Sequence, residues 1–299
     1  MTAEAEVPAP AQRVQLIVDE PGLYDGLTDE QYHGDPVPAG SLSSSGARKL
    51  LPPSCPALFQ HEREHGRAPK KTFDVGHAAH RMVLGVGAEL YVHPKVDGRT
   101  REGKAEAVRI EEARTAGLTP INVVDHAAVV AMAEAIRKHP TAAALLDPTR
   151  GTAEQSGFWV DPESGVWRRV RFDWLPDATG RLIIPDYKTA ECSSPSAFRR
   201  AAATYGYHQQ AAWYMDAALA LDLAETVSFV FIVQEKAAPF LTSVIELDST
   251  ALRAGRDANR RAIDIYAECT ATDHWPGYHE GVALIDLPPW ATSSEELYR

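Results

Sequence analysis

The sequence predicts an α/β (α+β) fold, a central mixed sheet flanked by helices, in the order helix, three strands, helix, strand. Three observations lead there. Helix-like segments dominate up to about residue 145, and after Gly151 the texture changes to strand-like runs. A long Ala-rich helical segment then separates those runs from two further strands, and strands grouped between helices point to a sheet with helical cover.

The elements follow in chain order. Residues 1–30, rich in Pro, Ala and acid, read as a flexible N-terminal arm with one candidate strand at "VQLIV", and residues 31–299 as a single elaborated domain. "SLSSSGARKLL" predicts a Ser-capped helix stopped by Pro52 and Pro53. "TFDVGHAAHRMVLG" predicts a second helix, and "DGRTREGKAEAVRIEEARTAG" a charged segment that is helical in its second half. "HAAVVAMAEAIRKH" is amphipathic and ends at Pro140. "AEQSGFWV", "VWRRVRFDWL" and "RLIIPDYKT" are strand-like runs separated by the turn formers "DPESG" and "PDATG", which predicts a three-strand meander. "SAFRRAAATYGYHQQAAWYMDAALAL" is a long helix loosened near Gly206. "TVSFVFIVQE" and "FLTSVIEL" are further strands, and "TALRAGRDANRRAIDIYAEC" is a closing helix.

Composition bounds the function. The chain has 299 residues, 44% hydrophobic and 24% charged, which is ordinary for a globular protein. No apolar run is long enough to span a bilayer, and "MTAEAEVPAPAQ" lacks the basic and apolar regions of a signal peptide. Three widely spaced cysteines, Cys55, Cys192 and Cys269, argue against a disulfide scaffold or a four-cysteine metal site and fit a reducing cytoplasm. With 30 basic against 41 acidic residues the net charge is −11, so any contact with nucleic acid must be a local basic groove on an acidic body.

The chemistry concentrates in "WRRVRFDWLPDATGRLIIPDYKTA", residues 167–190. Residues two apart on a strand share a face, so Asp186 and Lys188 project together and Tyr187 points the other way. Pro185 cannot donate a ladder hydrogen bond and predicts a bulge or a locally unpaired point. Pairing through the "PDATG" turn would bring Asp173 close to Asp186. Two carboxylates that near repel, which raises one pKa unless a cation lies between them. An ordinary cross-strand salt-bridge cluster satisfies that condition. So does a hard divalent ion such as Mg²⁺, beside which Lys188 orients a water or stabilises a phosphate charge.

The wider set resembles a known family. Arg171-x-Asp173, then Asp186-Tyr187-Lys188-Thr189 thirteen residues from the first Asp, then Gln210 and Tyr214 on a helix, resemble the PD-(D/E)XK nuclease superfamily. Within it the likeness is to RecB-type and RecE-like phage and prophage exonucleases of the exodeoxyribonuclease VIII type. "GHAAH" resembles the family's G-x-x-x-H helix motif at Gly76 and His80, and "YHGDPVPAGSLSSSGARKLL", "DGRTREGK", "AEQSGFW" and "HWPGY" resemble further segments, from about Gln31 to Trp290.

The resemblance implies a PD-(D/E)XK core of order αβββαβ and a Mg²⁺-dependent DNA exonuclease, with Mn²⁺ as a substitute. By likeness it resects double-stranded DNA ends from 5′ to 3′ for phage-type recombination, as a ring-shaped homo-oligomer working with a single-strand annealing protein in the cytoplasm. It makes Asp173 and Asp186 metal carboxylates, the Tyr187 carbonyl and His80 further ligands, and Lys188 the catalytic lysine. Gln210 and Tyr214, one helical turn apart, would face the same site, and Glu154 would be a ligand or a supporting carboxylate. A solvated loop or a phosphate contact are both open for Arg99, Arg101 and Lys104; Arg171 and the Arg199–Arg200 pair are further candidates for DNA contact. A structure- or site-specific endonuclease and a non-catalytic DNA-binding relative are the alternatives.

Overall fold

The structure, a computed structural model, describes residues 16–66, 74–177, 180–279, 281–288 and 291. Nineteen elements follow one another among them. β1 (Gly22–Tyr24), α1 (Asp29–His33), β2 (Ser41–Ser43), α2 (Ser44–Lys49), α3 (Pro56–His65) and α4 (Asp74–Leu84) come first. A peripheral unit of β3 (Leu90–His93), α5 (Arg101–Thr115) and β4 (Thr119–Asn122) leads into α6 (Val123–Lys138) and α7 (Pro140–Leu145). β5 (Gly151–Val160), β6 (Trp167–Pro176), β7 (Arg181–Ala190), α8 (Pro195–Tyr205), α9 (Tyr207–Ala220), β8 (Thr226–Glu235), β9 (Thr242–Glu246) and α10 (Ser249–Thr272) complete the fold.

Local chemistry sets the helix starts. The Ser43 side chain accepts from Gly46 N–H at the head of α2, Asn122 from Val124 and Asp125 N–H at α6, and Asp248 from Ala251 N–H at α10. Each satisfies an amide that the first turn leaves without a partner. Thr100 caps α5 through Gly103 N–H, so this helix begins at Arg101 rather than midway along the charged segment. The loosening expected near Gly206 is a full break: Gly206 is left-handed at φ +68° and divides α8 from α9.

The strands form sheets of order β1-β5-β6-β2, β3-β4 and β7-β8-β9. The expected meander is half right. β5 and β6 pair antiparallel, but β7 pairs in parallel with β8, and β6 and β7 belong to different sheets. Ala178 and Thr179 of the "PDATG" turn lie outside the described residues. No bulge occurs at Pro185, which keeps continuous register opposite Val230. N–H groups alternate sides along a strand. Tyr187 N–H points toward β6, so the N–H that Pro185 lacks would have faced the same seam, where no ladder requires it.

Residues 16–30 are held more tightly than a loose arm. Val18 is fully buried with Leu27, Tyr32, Val37 and Phe158, and β1 pairs with β5. The expected strand at 14–18 is not formed at residues 16–18, while residues 1–15 lie outside the described residues. β8 is buried along eight successive positions, as a continuous apolar run covered on both faces should be. Phe229, Phe231 and Val233 face α8 and α9, with Phe198 and Trp213. Ile232, one residue out of phase, joins Tyr187, Met132, Ala78 and Ala79 against α4 and α6. Of Trp159, Trp167, Trp174 and Trp213, whose simplest reading is core and sheet-cover aromatics, Trp167 is half-buried and the other three are buried.

Candidate active site

The site lies on the seam between the two main sheets. Asp173 comes from β6 and Asp186 and Lys188 from β7. Where a ladder bond would join the strands, the Asp173 carboxylate takes it over: Tyr187 N–H donates to Asp173 Oδ2 at 3.1 Å. A charge-assisted bond of this kind contributes about 1.5–3 kcal/mol. The carbonyl of Tyr187 projects from the same edge of the strand, while its side chain turns to the opposite layer. There its hydroxyl donates to Gln234 Oε1 at 2.6 Å, and Gln234 Nε2 donates to the Met132 carbonyl of α6 at 2.9 Å.

α4 supplies the third wall. Gly76 faces β7, where a Cβ would make only ordinary contact, 3.7 Å from Thr189 Oγ1, so the approach of the helix does not depend on glycine. One turn on, His80 Nε2 meets Asp173 Oδ2 at 2.9 Å. α9 closes the other side, where Gln210 Nε2 donates to Asp186 Oδ1 at 2.6 Å. Tyr214 lies beside Gln210 in the same cavity and packs edge-on against Phe172 and Phe229. Asp173, Asp186, Tyr187, Lys188, His80, Gln210 and Tyr214 therefore converge on one place, as the resemblance implies.

The two carboxylates are driven apart electrostatically. Burial pushes Asp173 up, but His80 (by charge and hydrogen bond), Lys188 and the Tyr187 N–H outweigh it and hold Asp173 below the usual carboxylate range. Burial pushes Asp186 up, Asp173 adds to the rise, and Lys188 opposes both without cancelling them. Burial lowers His80 and Lys188, yet the facing carboxylates raise both above their ordinary values. Asp186 is 1% exposed, and its Oδ2 meets the Lys188 ammonium and no hydrogen-bond donor of good geometry.

Glu154 is placed by an irregularity in β5. Its neighbours pair as Ala153 with Trp174 and Gln155 with Phe172, so it stands opposite Asp173 in register. Its left-handed φ of +50° interrupts the ladder there. Burial and the nearby Asp29 push its carboxyl up, and His80 and Asp173 also act on it. A cavity of about 220 Å³ joins Glu154, His80, Asp173, Gln210 and Tyr214 to Ser44 and Arg48 of α2. Ser44 Oγ is buried there with no hydrogen-bond partner. The sequence reading missed this α2 wall. A serine run closed by Arg48 carries no metal or acid–base pattern, and its place beside β6 comes from the parallel pairing of β2 with β6.

The candidate DNA contacts separate. Arg171 is not a free cation: it pairs with Asp29 at 2.6 Å, donates to Ser156 Oγ and the Leu27 carbonyl, and lies 4.7 Å from the Tyr32 ring centroid. It straps residues 27–32 onto β6 while lining the cavity that holds His80 and Asp173, so it is engaged rather than exposed like the other candidates. Arg99 is exposed and paired with Asp97, and Arg101 and Lys104 are exposed at the head of α5. Arg199 and Arg200 are exposed on α8.

As the side chains stand, no three His, Cys, Asp or Glu groups among the described residues close on a single point. The donor set nonetheless suits a hard divalent ion. It offers two carboxylates, a main-chain carbonyl and an imidazole, and it contains a buried carboxylate oxygen left to one ammonium.

The sheet order, the seam and these residues describe a nuclease-type fold, and the comparisons agree. A family model described as a PDDEXK-like domain of unknown function (DUF3799) matches residues 43–288, and the chain belongs to that family. A candidate exonuclease from Eubacterium rectale shares the fold, with a TM-score of 0.56 and 11% identity over 90% of this chain and 99% of that one. An alkaline exonuclease from Laribacter hongkongensis is 14% identical over 68% of this chain and 96% of that one, but its TM-score of 0.24 is too low to establish a common fold. No curated protein matches the chain. Among the described residues no helix is long and apolar enough to cross a membrane.

Proposed function

We propose that the protein is a divalent-metal-dependent DNA exonuclease. The observation that carries this reading is the meeting of Asp173 and Asp186 across the seam, with Lys188 on the same face as Asp186. Asp173, Asp186, the Tyr187 carbonyl and His80 would hold Mg²⁺ or Mn²⁺, with Glu154 beside them, and such an ion polarises a phosphodiester and lowers the pKa of the attacking water. Lys188 holds a proton and a positive charge within reach of the same phosphate. Gln210 fixes the Asp186 carboxylate in one orientation, with Tyr214 beside it in the same cavity. Ser44 Oγ and Arg48 present donors to the cavity alongside.

The substrate class rests on chemistry and likeness together. The exposed Arg99, Arg101, Lys104, Arg199 and Arg200 supply cations for a duplex backbone on a chain of net charge −11. A ring that presents these residues to its bore and acid to its outside would reconcile the two. Resection of double-stranded ends from 5′ to 3′, with an annealing protein as partner, is the biological role we infer from the RecE-like motifs and the exonuclease neighbour. The decisive experiment is digestion of linear against closed circular duplex with Mg²⁺, with a chelator as control. Loss of the linear form alone supports an exonuclease, loss of both makes it an endonuclease, and loss of neither leaves a binding protein.

A further inference from the structure

A tyrosine at the end of α8 stands out in water beside this site. Tyr205 is 61% exposed. Its position is nonetheless fixed. The next residue, Gly206, is left-handed at φ +68°, which favours glycine, and a Cβ on it would lie 2.7 Å from Arg48 Cδ, so a side chain there would displace Arg48. Arg48 in turn donates to the Tyr205 carbonyl. The Tyr205 ring leans on Tyr207, with centroids 5.8 Å apart and planes at 42°. Tyr207 is held by Phe198 at 5.6 Å and Phe231 at 5.5 Å, and the Lys188 ammonium sits 5.7 Å from its ring centroid. A row of rings therefore runs from solvent to the lysine of the site.

A lone surface aromatic needs no explanation. This one has an anchored backbone, is largely exposed, and has only the Tyr207 ring between it and Lys188. We propose that Tyr205 is a stacking platform for a nucleobase next to the phosphodiester held at Asp173, Asp186 and Lys188. Every base offers a π-face, so the platform is indifferent to sequence. It is not indifferent to strand state. A base inside a duplex already has both faces covered, so Tyr205 takes a base that is terminal or frayed. The inference rests on the nuclease reading and adds to it that the site receives an unpaired end.

Two measurements test it separately from that reading. In the first, 2-aminopurine is placed in turn at the three terminal positions of an oligonucleotide with an unpaired end, and its fluorescence is followed with the full chain and no metal. Quenching at one position by the parental protein and by Tyr205→Phe, lost in Tyr205→Ala, is expected. Absence of quenching, or unchanged quenching in Tyr205→Ala, overturns the proposal. In the second, hydrolysis is measured in Mg²⁺. Tyr205→Ala should raise KM about tenfold, or about 1.4 kcal/mol, with the loss carried by KM rather than kcat. An abasic residue at the quenched position should raise the parental KM by the same factor and that of Tyr205→Ala no further. An equal loss for Tyr205→Ala on intact and abasic ends would mean that the tyrosine only shapes the elbow, and the proposal falls. If the parental protein hydrolyses nothing, the nuclease reading fails and the fluorescence result alone decides the stacking.

Discussion

Two clusters of buried charge in this molecule are built from the same ingredients and left incomplete in opposite ways. In the first, Asp161 accepts from Ser164 N–H and Oγ–H at 3.0 and 2.7 Å and from Arg260 Nη1 on both oxygens at 2.9 and 3.1 Å. Its carboxylate is fully engaged. The spare groups belong to Arg168, whose Nε and Nη2 have no acceptor while its guanidinium lies 4.6 and 4.0 Å from the ring centroids of Trp159 and Trp213. In the second, at the seam, His80 and Gln210 each hold one carboxylate oxygen, and Asp186 Oδ2 is left to the Lys188 ammonium alone. A spare guanidinium N–H can rest on an aromatic face. A carboxylate oxygen held by one ammonium, in a buried and repelling pair, is a group to which a metal ion could add. What each carboxylate is left with, rather than the presence of charge, sets the two clusters apart.

The contrast can be broken at either end. The largest effect is expected from Asp186→Asn, which should lower metal-dependent hydrolysis by at least about 10³-fold, or about 4 kcal/mol. Its melting temperature should stay near the parental value, because burial and Asp173 already disfavour the ionised carboxylate that is removed. Full activity in this variant would remove Asp186 from the site. Lys188→Met should cut turnover by about 10²-fold or more. It should also melt lower without metal, since it leaves Asp186 buried without its ammonium. Mg²⁺ should restore most of that melting temperature, and calorimetry should show metal binding retained.

The structural cluster should behave in reverse. Asp161→Asn should destabilise the fold by about 3 kcal/mol, as loss of one partner from a buried ion pair does, while turnover per folded molecule is unchanged. Burial pushes Asp161 up, but Ser164 and Arg260 outweigh it and hold the carboxyl below its ordinary value. A carboxyl depressed in the folded state stabilises at pH above its unfolded pKa of about 3.9, and that stability is lost as pH falls through the folded value. The parental acid-unfolding limb should therefore be steeper than that of Asp161→Asn, and equal limbs would contradict the assignment. The smallest effect concerns the exposed cations. Arg101→Glu should slow digestion of long duplexes a few-fold more than that of short ones and flatten the salt dependence by about one phosphate contact. Parental behaviour on both counts would take α5 out of the DNA path.

Much of the site was legible because its residues are close in sequence or fixed by periodicity. Asp186 and Lys188 share a strand face, Gln210 and Tyr214 a helix face, and Gly76 and His80 one turn of α4. The break at Gly206 was legible as a glycine inside a helical pattern. What escaped depends on partners distant in the chain. Arg171 looks like a free cation until Asp29, 142 residues away, is brought against it. The β6–β7 hairpin was the natural reading of two strands flanking a turn, yet β7 finds its ladder in β8, some 45 residues on, because the apolar run of β8 is covered on both faces in parallel pairing. Glu154 was legible as a carboxylate, but the left-handed backbone that turns it out of the ladder was not.

The seam has a mechanical consequence. Asp173 and Asp186 belong to separate sheets, so an ion gripping both would also be a cross-link between the two halves of the molecule. Any ligand that binds the folded form adds RT ln(1 + [L]/Kd) to stability, about 2.7 kcal/mol at a hundredfold excess over Kd. Here that stabilisation would be concentrated on one line through the fold, and the Tyr187 amide, which bonds across it to Asp173, is its reporter. In the metal-depleted protein this amide should exchange its hydrogen faster than those of β8, and the loaded protein should behave as though a zip had been drawn along the seam.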